Sequence, residues 1–464
     1  MPLDYGDKMR STQPIYVLSG GVSQFAKART DKTFQALVKE AYDYILSDLD
    51  LEHRKAVELI DGIVTSYFSD HFTNQLMAGI MVQDYLGFTP KPGHRVEGGG
   101  ATGGICFQEA WKAVASGYMD LCLAVGFETM SRVNTWKGNE FIALASDTQF
   151  DFPVGGFYSG YYAMMVARHM KEFGSTVDQL SMVAVKNRKN AIYNSFAQNP
   201  GDYDLEDIQN SDTVAWPLNL LDICTMSDGA AGVLLASEEG LNKIEKATGR
   251  KIPKVKVTGI GRGTDMMRMA DRPHGDVILM PHETQQDYEG SQFVDGKLKY
   301  PGIHSFRAGR SASIQAYKMA NIQNPLEDLD FIELHDAYSS SEIQTYEDMG
   351  LCKYGEGGKF VESGSPFMPD IAYKFESSKG IKLNDKGKLP VNPSGGLIAC
   401  GHPVGATGLM QGVFALWQLQ GTIAKHFKDN TLQVKDAKRG AIQRLGRPRC
   451  SCSKGLICAC WPFD

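Results

Sequence analysis

Two spacings of apolar residues alternate along the chain. Runs of about five to nine residues rich in aliphatic and β-branched side chains read as strands, and longer stretches with apolar positions three and four apart read as helices. On that basis 14–25 is a strand entering a Gly-containing loop, 33–50 a helix, 62–68 a strand, 71–86 a helix and 94–97 a third strand. GGGATGG follows, then a helix over 104–116 with Ile105, Phe107, Trp111 and Val114 on one face, and a strand over 121–127. Such alternation implies a mostly parallel sheet covered by helices.

From 130 to 219 the pattern loosens into an aromatic and Met-rich insertion, read as a lid over the mouth of a site. A strand at 227–240 and a charged stretch, LNKIEKATGRKIPK, read as a linker, close the first series. A second series has strands at 255–261 and 331–338 and a helix at 304–320. A long loop then leads to a short strand at 389–391, a Gly-rich turn and an amphipathic helix. VEGGGATGGICFQEAWKAVASG and VNPSGGLIACGHPVGATGLMQGVFALWQLQG share one plan: strand, small-residue turn, apolar-faced helix, closing Gly. The expectation is an α/β chain duplicated about a pseudo-twofold axis, with halves at 1–245 and 246–464. The N-termini of both helices would point into one crevice, where they favour developing negative charge.

Composition narrows the partners. The 464 residues exceed one ordinary domain, and 42% hydrophobic with 22% charged residues is globular. A net charge of −6 argues against nucleic acid or an anionic membrane surface as partner. No apolar run suits a bilayer span, and the first residues lack a signal core, so a cytoplasmic protein is expected. The 9 Cys do not form a disulfide framework; Cys450, Cys452, Cys458 and Cys460 crowd the tail, where zinc binding is a minor alternative.

Three stretches carry candidate chemistry. Gly98-x-Gly100-x-x-Gly103 matches the dinucleotide fingerprint between a strand and a helix, but on the third strand and with only Glu128 as the acidic partner. His402 lies in GHPVGATG, where Pro403 fixes the adjacent backbone and Gly401 and Gly405 admit a bulky ligand. His335-Asp336-Ala337-Tyr338 ends a strand. Paired with His402, one imidazole from each half, His335 is expected to flank a carbonyl oxygen and stabilise an oxyanion.

These residues carry a resemblance. GHPVGATG after NPSGG, SDGAAG, HDAY followed by YEDMGLC, and VEGGGATGG before an amphipathic helix together resemble the thiolases, within them the sterol-carrier-protein type. The resemblance implies a layered α/β/α/β/α architecture of duplicated βαβαβ halves, CoA thioester substrates, no tightly bound cofactor or metal, and a homodimer or tetramer. It also implies a small zinc-ribbon/OB-fold partner subunit. It makes His402 the activating imidazole, His335 the completion of the oxyanion site, and Gly100, Gly401, Gly405 and Asp336 substrate-binding positions.

Two departures follow from the same resemblance. Thiolases carry their nucleophilic Cys where this chain has Gly100, which has nothing to acylate. Cys400, two residues before His402, is the substitute by position; Cys106, inside the helix, reads as packing. After about Ile442 the chain runs RGAIQRLGRPRCSCSKGLICACWPFD, with neither the family's Gly-rich loop nor an evident strand, as if the frame had shifted or the terminus been replaced. The expected function is therefore that of an acyltransferase-like enzyme making or breaking the Cα–Cβ bond of a 3-oxoacyl-CoA. The alternatives are a Cys-independent retro-aldolase using Tyr338 as acid/base, and a silent scaffold subunit.

Overall fold

The structure is a computed structural model that describes residues 13–265, 268, 278–284, 287, 293–294, 297–298, 307–369, 371, 383, 387–444 and 454–460. The first series begins with β1 (Tyr16–Val22) and α1 (Phe34–Leu49), whose first turn is capped by the Thr33 hydroxyl accepting from the Ala36 N–H at 3.3 Å. It continues through β2 (Gly62–Ser66), β3 (Gly93–Val96), α2 (Thr102–Ala115) and β4 (Leu121–Thr129). The insertion contributes α3 (Thr135–Ala143), α4 (Tyr158–Phe173) and α5 (Val177–Ala191) before β5 (Asp228–Ala236) and α6 (Glu238–Thr248). The second series is β6 (Val255–Gly263), α7 (Arg307–Ala320), β7 (Phe331–Glu333), α8 (Ser339–Asp348), α9 (Gly396–Cys400), α10 (Val404–Leu419), β8 (Arg439–Arg444) and β9 (Lys454–Cys460).

Nine strands form one sheet in the order β7-β8-β9-β6-β1-β5-β4-β2-β3. The expected duplication is written in this order. Outward from the β1/β6 pair, β5, β4 and β2 on one side match β9, β8 and β7 on the other. β5 and β9 each run antiparallel to both neighbours, whereas β4–β2 and β7–β8 are parallel pairs. The sheet is therefore mixed, not mostly parallel. β5 returns against β4 as the second arm of a hairpin, Thr129 opposite Asp228, with the whole insertion as its loop.

The helix α10 is buried along its entire length. It packs on α2, on β1, β4 and β5 of one half, and on β7, β8 and β9 of the other. Helix α1 covers the first half-sheet from outside, and α7 covers β6 and β9. The result is the α/β/α/β/α layering, with α2 and α10 as the middle layer. Each large side chain such as Leu409, Val413, Phe414 or Trp417 that α10 buries contributes about 1.5–3 kcal/mol.

Glycine sets the closeness of the middle layer. A Cβ on Gly408 would lie 2.1 Å from the Gly104 nitrogen, and one on Gly103 would lie 2.7 Å from the Gly408 nitrogen. The backbones of α2 and α10 touch there. This contact accounts for Gly103 in the apparent dinucleotide fingerprint.

Three expectations need correction. The linker after β5 is the amphipathic helix α6, started by the Ser237 hydroxyl accepting from Gly240 N–H at 3.1 Å and ended by Gly249 at φ 67°, with Leu241 and Ile244 buried. The helix over 71–86 is broken into Asp70–Thr73 and Ala78–Tyr85, because Asn74 and Met77 take left-handed φ values of 50° and 58° between them. Finally, the tail contains a strand: β9 pairs with β8 on one side and β6 on the other. Two waiting strand edges hold a short run, apolar after Lys454, that shows no alternation of its own.

Candidate active site

The turn between α9 and α10 presents His402. Gly401 adopts φ 96°, and a Cβ there would fall 2.6 Å from both Gln198 Oε1 and Ser227 Oγ, so only glycine lets the chain turn. The His402 backbone N–H donates to the Thr225 carbonyl (3.2 Å) and to Ser227 Oγ (3.1 Å). Its ring Nδ1 lies 2.9 Å from Thr407 Oγ1, whose hydroxyl donates to the Pro403 carbonyl at 2.8 Å. That hydroxyl has one proton, so it accepts from Nδ1–H. The neutral ring thus carries its lone pair on Nε2.

His335 emerges from the end of β7. Its N–H donates to Gln443 Oε1 at 3.3 Å, and its carbonyl accepts from Ser341 at 3.2 Å. The two imidazoles meet edge to face, centroids 5.4 Å apart and planes at 76°. Both are buried from bulk solvent and both line a cavity of about 1300 Å³. Gly100 and Val404, at the starts of α2 and α10, line the same cavity.

Both imidazoles belong to the second half, contrary to the expectation of one from each. The segment ending in Val391 runs parallel to β7, bridging Val391 to Ile332, so the loop after β7 and the turn before α10 emerge on the same side. The first half supplies Gly100 and the lid. Tyr338 also lines the cavity, its ring stacked on Tyr162 (4.1 Å, 23°) and its hydroxyl 3.3 Å from Ser159 Oγ.

The remaining sequence candidates lie behind the cavity wall. Asp336 accepts from the backbone N–H groups of Leu397 (2.6 Å) and Ile398 (3.3 Å) and from Asn187 (2.8 Å). Burial, then the neighbouring Glu342, push its pKa up to about 7. It ties α9 to the loop after β7. The Cys400 thiol donates to the Ser394 carbonyl at 3.4 Å, and burial pushes its pKa well above the ordinary thiol value. It sits behind the wall and is not among the residues that line the cavity. Gly405 packs on Phe127 and donates its N–H to Glu128 at 3.0 Å; burial raises Glu128 to about 8. Cys106 is buried, its thiol donating to the Val64 carbonyl at 3.3 Å.

Sequence reasoning missed Thr407, Ser159 and Arg188. Thr407 had a signal, a hydroxyl one helical turn beyond the imidazole in GHPVGAT. Ser159 and Arg188 had none, because their approach to the cavity depends on how the lid folds back. Among the described residues, no group of three His, Cys, Asp or Glu side chains could hold a metal ion. The side chains of the tail cysteines lie outside the described residues.

The sequence model described as Thiolase, N-terminal domain matches residues 15–239, and that described as Thiolase C-terminal domain-like matches 299–453. The chain belongs to the thiolase family. This thiolase is 32% identical over 416 residues to an acetyl-CoA acetyltransferase of Methanothermobacter thermautotrophicus, covering 90% of this chain and 92% of the relative. It is 28% identical over 442 residues to sterol carrier protein 2 of Bos taurus, covering 93% of this chain and 70% of that protein. Among solved structures, Ltp2-ChsH2(DUF35) aldolase superposes with a TM-score of 0.71 at 23% identity, covering 98% of this thiolase and 100% of that chain. The relatives place it among thiolase-like proteins of acyl-CoA chemistry, including the sterol-carrier-protein type. Among its described residues no helix is long and apolar enough to cross a membrane.

Proposed function

We propose that this thiolase makes or breaks the Cα–Cβ bond of a 3-hydroxyacyl-CoA by aldol chemistry, without an acyl-enzyme. One observation carries the proposal: His335, His402 and Tyr338 share a cavity whose wall has Gly100 at the nucleophile position, while Cys400 is turned away. In the bond-forming direction His402 Nε2 takes the α-proton of the thioester. The imidazolium so formed and His335 hold the enolate oxygen by hydrogen bonds. The enolate carbon attacks an aldehyde or ketone, and Tyr338 gives its proton to the new β-oxygen. A proton then passes from His402 to the Tyr338 phenolate through water, and both groups are reset. Cleavage is the reverse. A 3-oxoacyl-CoA thiolase reaction needs an enzyme thiol to accept the acyl group, and among the described cysteines only Cys224 lines this cavity.

The aldolase among the fold neighbours pairs with a DUF35 chain, in keeping with a small zinc-ribbon/OB-fold partner here. A cytoplasmic homo-oligomer with CoA as its only cofactor-like group belongs to the same proposal.

Purified protein, alone and with such a partner, is incubated with a panel of 3-hydroxyacyl-CoA thioesters, and release of carbonyl product and shortened acyl-CoA is followed. Turnover that survives Cys400→Ala and Cys224→Ala and falls about a thousandfold in His402→Ala is expected. Turnover only of 3-oxoacyl-CoA, dependent on free CoA and on either cysteine, sinks the aldol reading. No turnover with any thioester favours the scaffold role.

A further inference from the structure

Arg188 sits on α5 of the lid, 4% exposed, and forms part of the cavity wall. Its Nε and Nη2 donate to the Leu221 carbonyl at 3.2 and 3.0 Å, and Nη1 donates to the Asn199 carbonyl at 3.2 Å. A guanidinium has five N–H donors, so these three bonds leave one on each terminal nitrogen. None of the ion pairs among the described residues includes Arg188, although its neighbours Lys186 and Lys189 are paired with Glu342 and Asp202. Asp222, an acid near it in space, is buried and occupied, accepting from Asn219 N–H (3.1 Å) and the Ser339 hydroxyl (2.8 Å).

A buried cation without a counter-ion is costly, and proteins compensate such charges by pairing them. Here the direct hydrogen bonds from the chain come from two carbonyl oxygens, and the Asp222 and Asp336 carboxyls act on the charge without an ion-pair contact. Burial lowers the Arg188 pKa, against an opposing pull from Tyr203, Asp222, Cys224 and Asp336. Carbonyls at Asn199 and Leu221 also fix the fork in position, which is the arrangement that receives a planar anion through two parallel N–H bonds. The tyrosine ring of Tyr203, with its centroid 5.9 Å from the guanidinium carbon, walls one side.

We infer that Arg188 is an anion subsite of the cavity, receiving a carboxylate carried by the acyl group of the thioester. The assignment rests on the acyl-CoA reading above and refines it: the substrate class is a dicarboxylic acyl-CoA, not a simple fatty acyl-CoA. The same fork also suits a phosphate of the CoA moiety, and the experiment separates the two sources.

Binding of four non-reacting ligands is measured by calorimetry, without turnover: glutaryl-CoA, its neutral counterpart pentanoyl-CoA, and the 3′-dephospho forms of both. Wild-type protein is expected to bind glutaryl-CoA at least ~10-fold more tightly than pentanoyl-CoA, the worth of hydrogen bonds to a charged group. Arg188→Met removes that preference and leaves pentanoyl-CoA binding unchanged, while Arg188→Lys keeps part of it. Weakening of both thioesters in Arg188→Met, lost with the 3′-dephospho forms, keeps the anion subsite and assigns it to the CoA phosphate. Equal binding of charged and neutral thioesters by wild type, with no change in either variant, overturns the inference and leaves Arg188 as a clasp between two lid carbonyls. A failure of aldol turnover with the binding preference intact sinks only the proposed reaction. If Arg188→Met does not fold, the wild-type preference and Arg188→Lys still decide.

Discussion

The turns leading into α2 and α10 are built alike and equipped differently. Both are glycine-rich, because Gly103 and Gly104 of one helix lie against Gly408 of the other and a Cβ on either side would strike backbone. Only the second carries an imidazole, His402 held through Nδ1 by Thr407, with His335 beside it from the same half. The first offers Gly100. A packing demand at a two-sided contact is satisfied symmetrically; reactive groups need to be supplied only once.

The largest effect expected from disturbing this pair is structural. Gly408→Ala places a methyl 2.1 Å from the Gly104 nitrogen, and the helices must separate at a cost of more than about 4 kcal/mol in urea unfolding. Gly412→Ala, one turn on, meets only the Phe107 ring at 3.1 Å and is expected to cost about 1 kcal/mol. Comparable losses would mean the two helices do not touch where described.

Next in size is a pH effect. Glu128, next to last in β4, has its carboxyl raised by burial from the ordinary 4.5 to about 8. A raised carboxyl favours the folded state fully below pH 4.5 and loses that contribution as pH climbs toward 8. Glu128→Gln keeps an oxygen to accept from Phe68 and Gly405 and has no charge to acquire. It is expected to flatten the fall in stability between pH 5 and 9, by about 3 kcal/mol at the alkaline end. An unchanged slope would remove the carboxyl from the account.

Smaller again is Thr407→Val, which keeps the shape and removes the acceptor for His402 Nδ1–H. A drop of about tenfold in kcat with little change in KM is expected, since the ring loses its fixed tautomer. The mildest change is Gly100→Cys. Gly99, with φ 60°, takes the left-handed position, whereas Gly100 has a backbone open to any residue. A thiol there, at the start of α2, should be alkylated by iodoacetamide near neutral pH with aldol turnover reduced by less than about threefold. A thiol that resists alkylation would show that the first turn does not face the cavity.

Much of the architecture was legible because it rests on local pattern. α1 falls at Phe34–Leu49 against an expected 33–50, and β2, β3 and β4 fall where aliphatic runs placed them. What was hidden is tertiary. Leu241 and Ile244 are too few to betray α6 among its charged neighbours, yet they suffice to dock it. Asn74 and Met77 break a helix without interrupting the spacing of its apolar residues. β9 is held by its neighbours' open edges. At the site, short motifs announced His402, His335 and Tyr338, but Cys400 and Asp336 adjoin them in sequence and face the other way. Two residues along a tight turn reverse a side chain, and spacing does not say which way it ends up.

The insertion over 130–227 leaves the sheet at Thr129 and rejoins it at Asp228, two residues opposite each other across a hairpin. Its endpoints coincide, so β4 and β5 pair whatever its length. Its outer part can change in length or lining, provided Asn187, Thr225 and Ser227, which hold Asp336 and the His402 backbone, are kept. Acyl preference can then diverge among descendants without any renegotiation of the strands beneath.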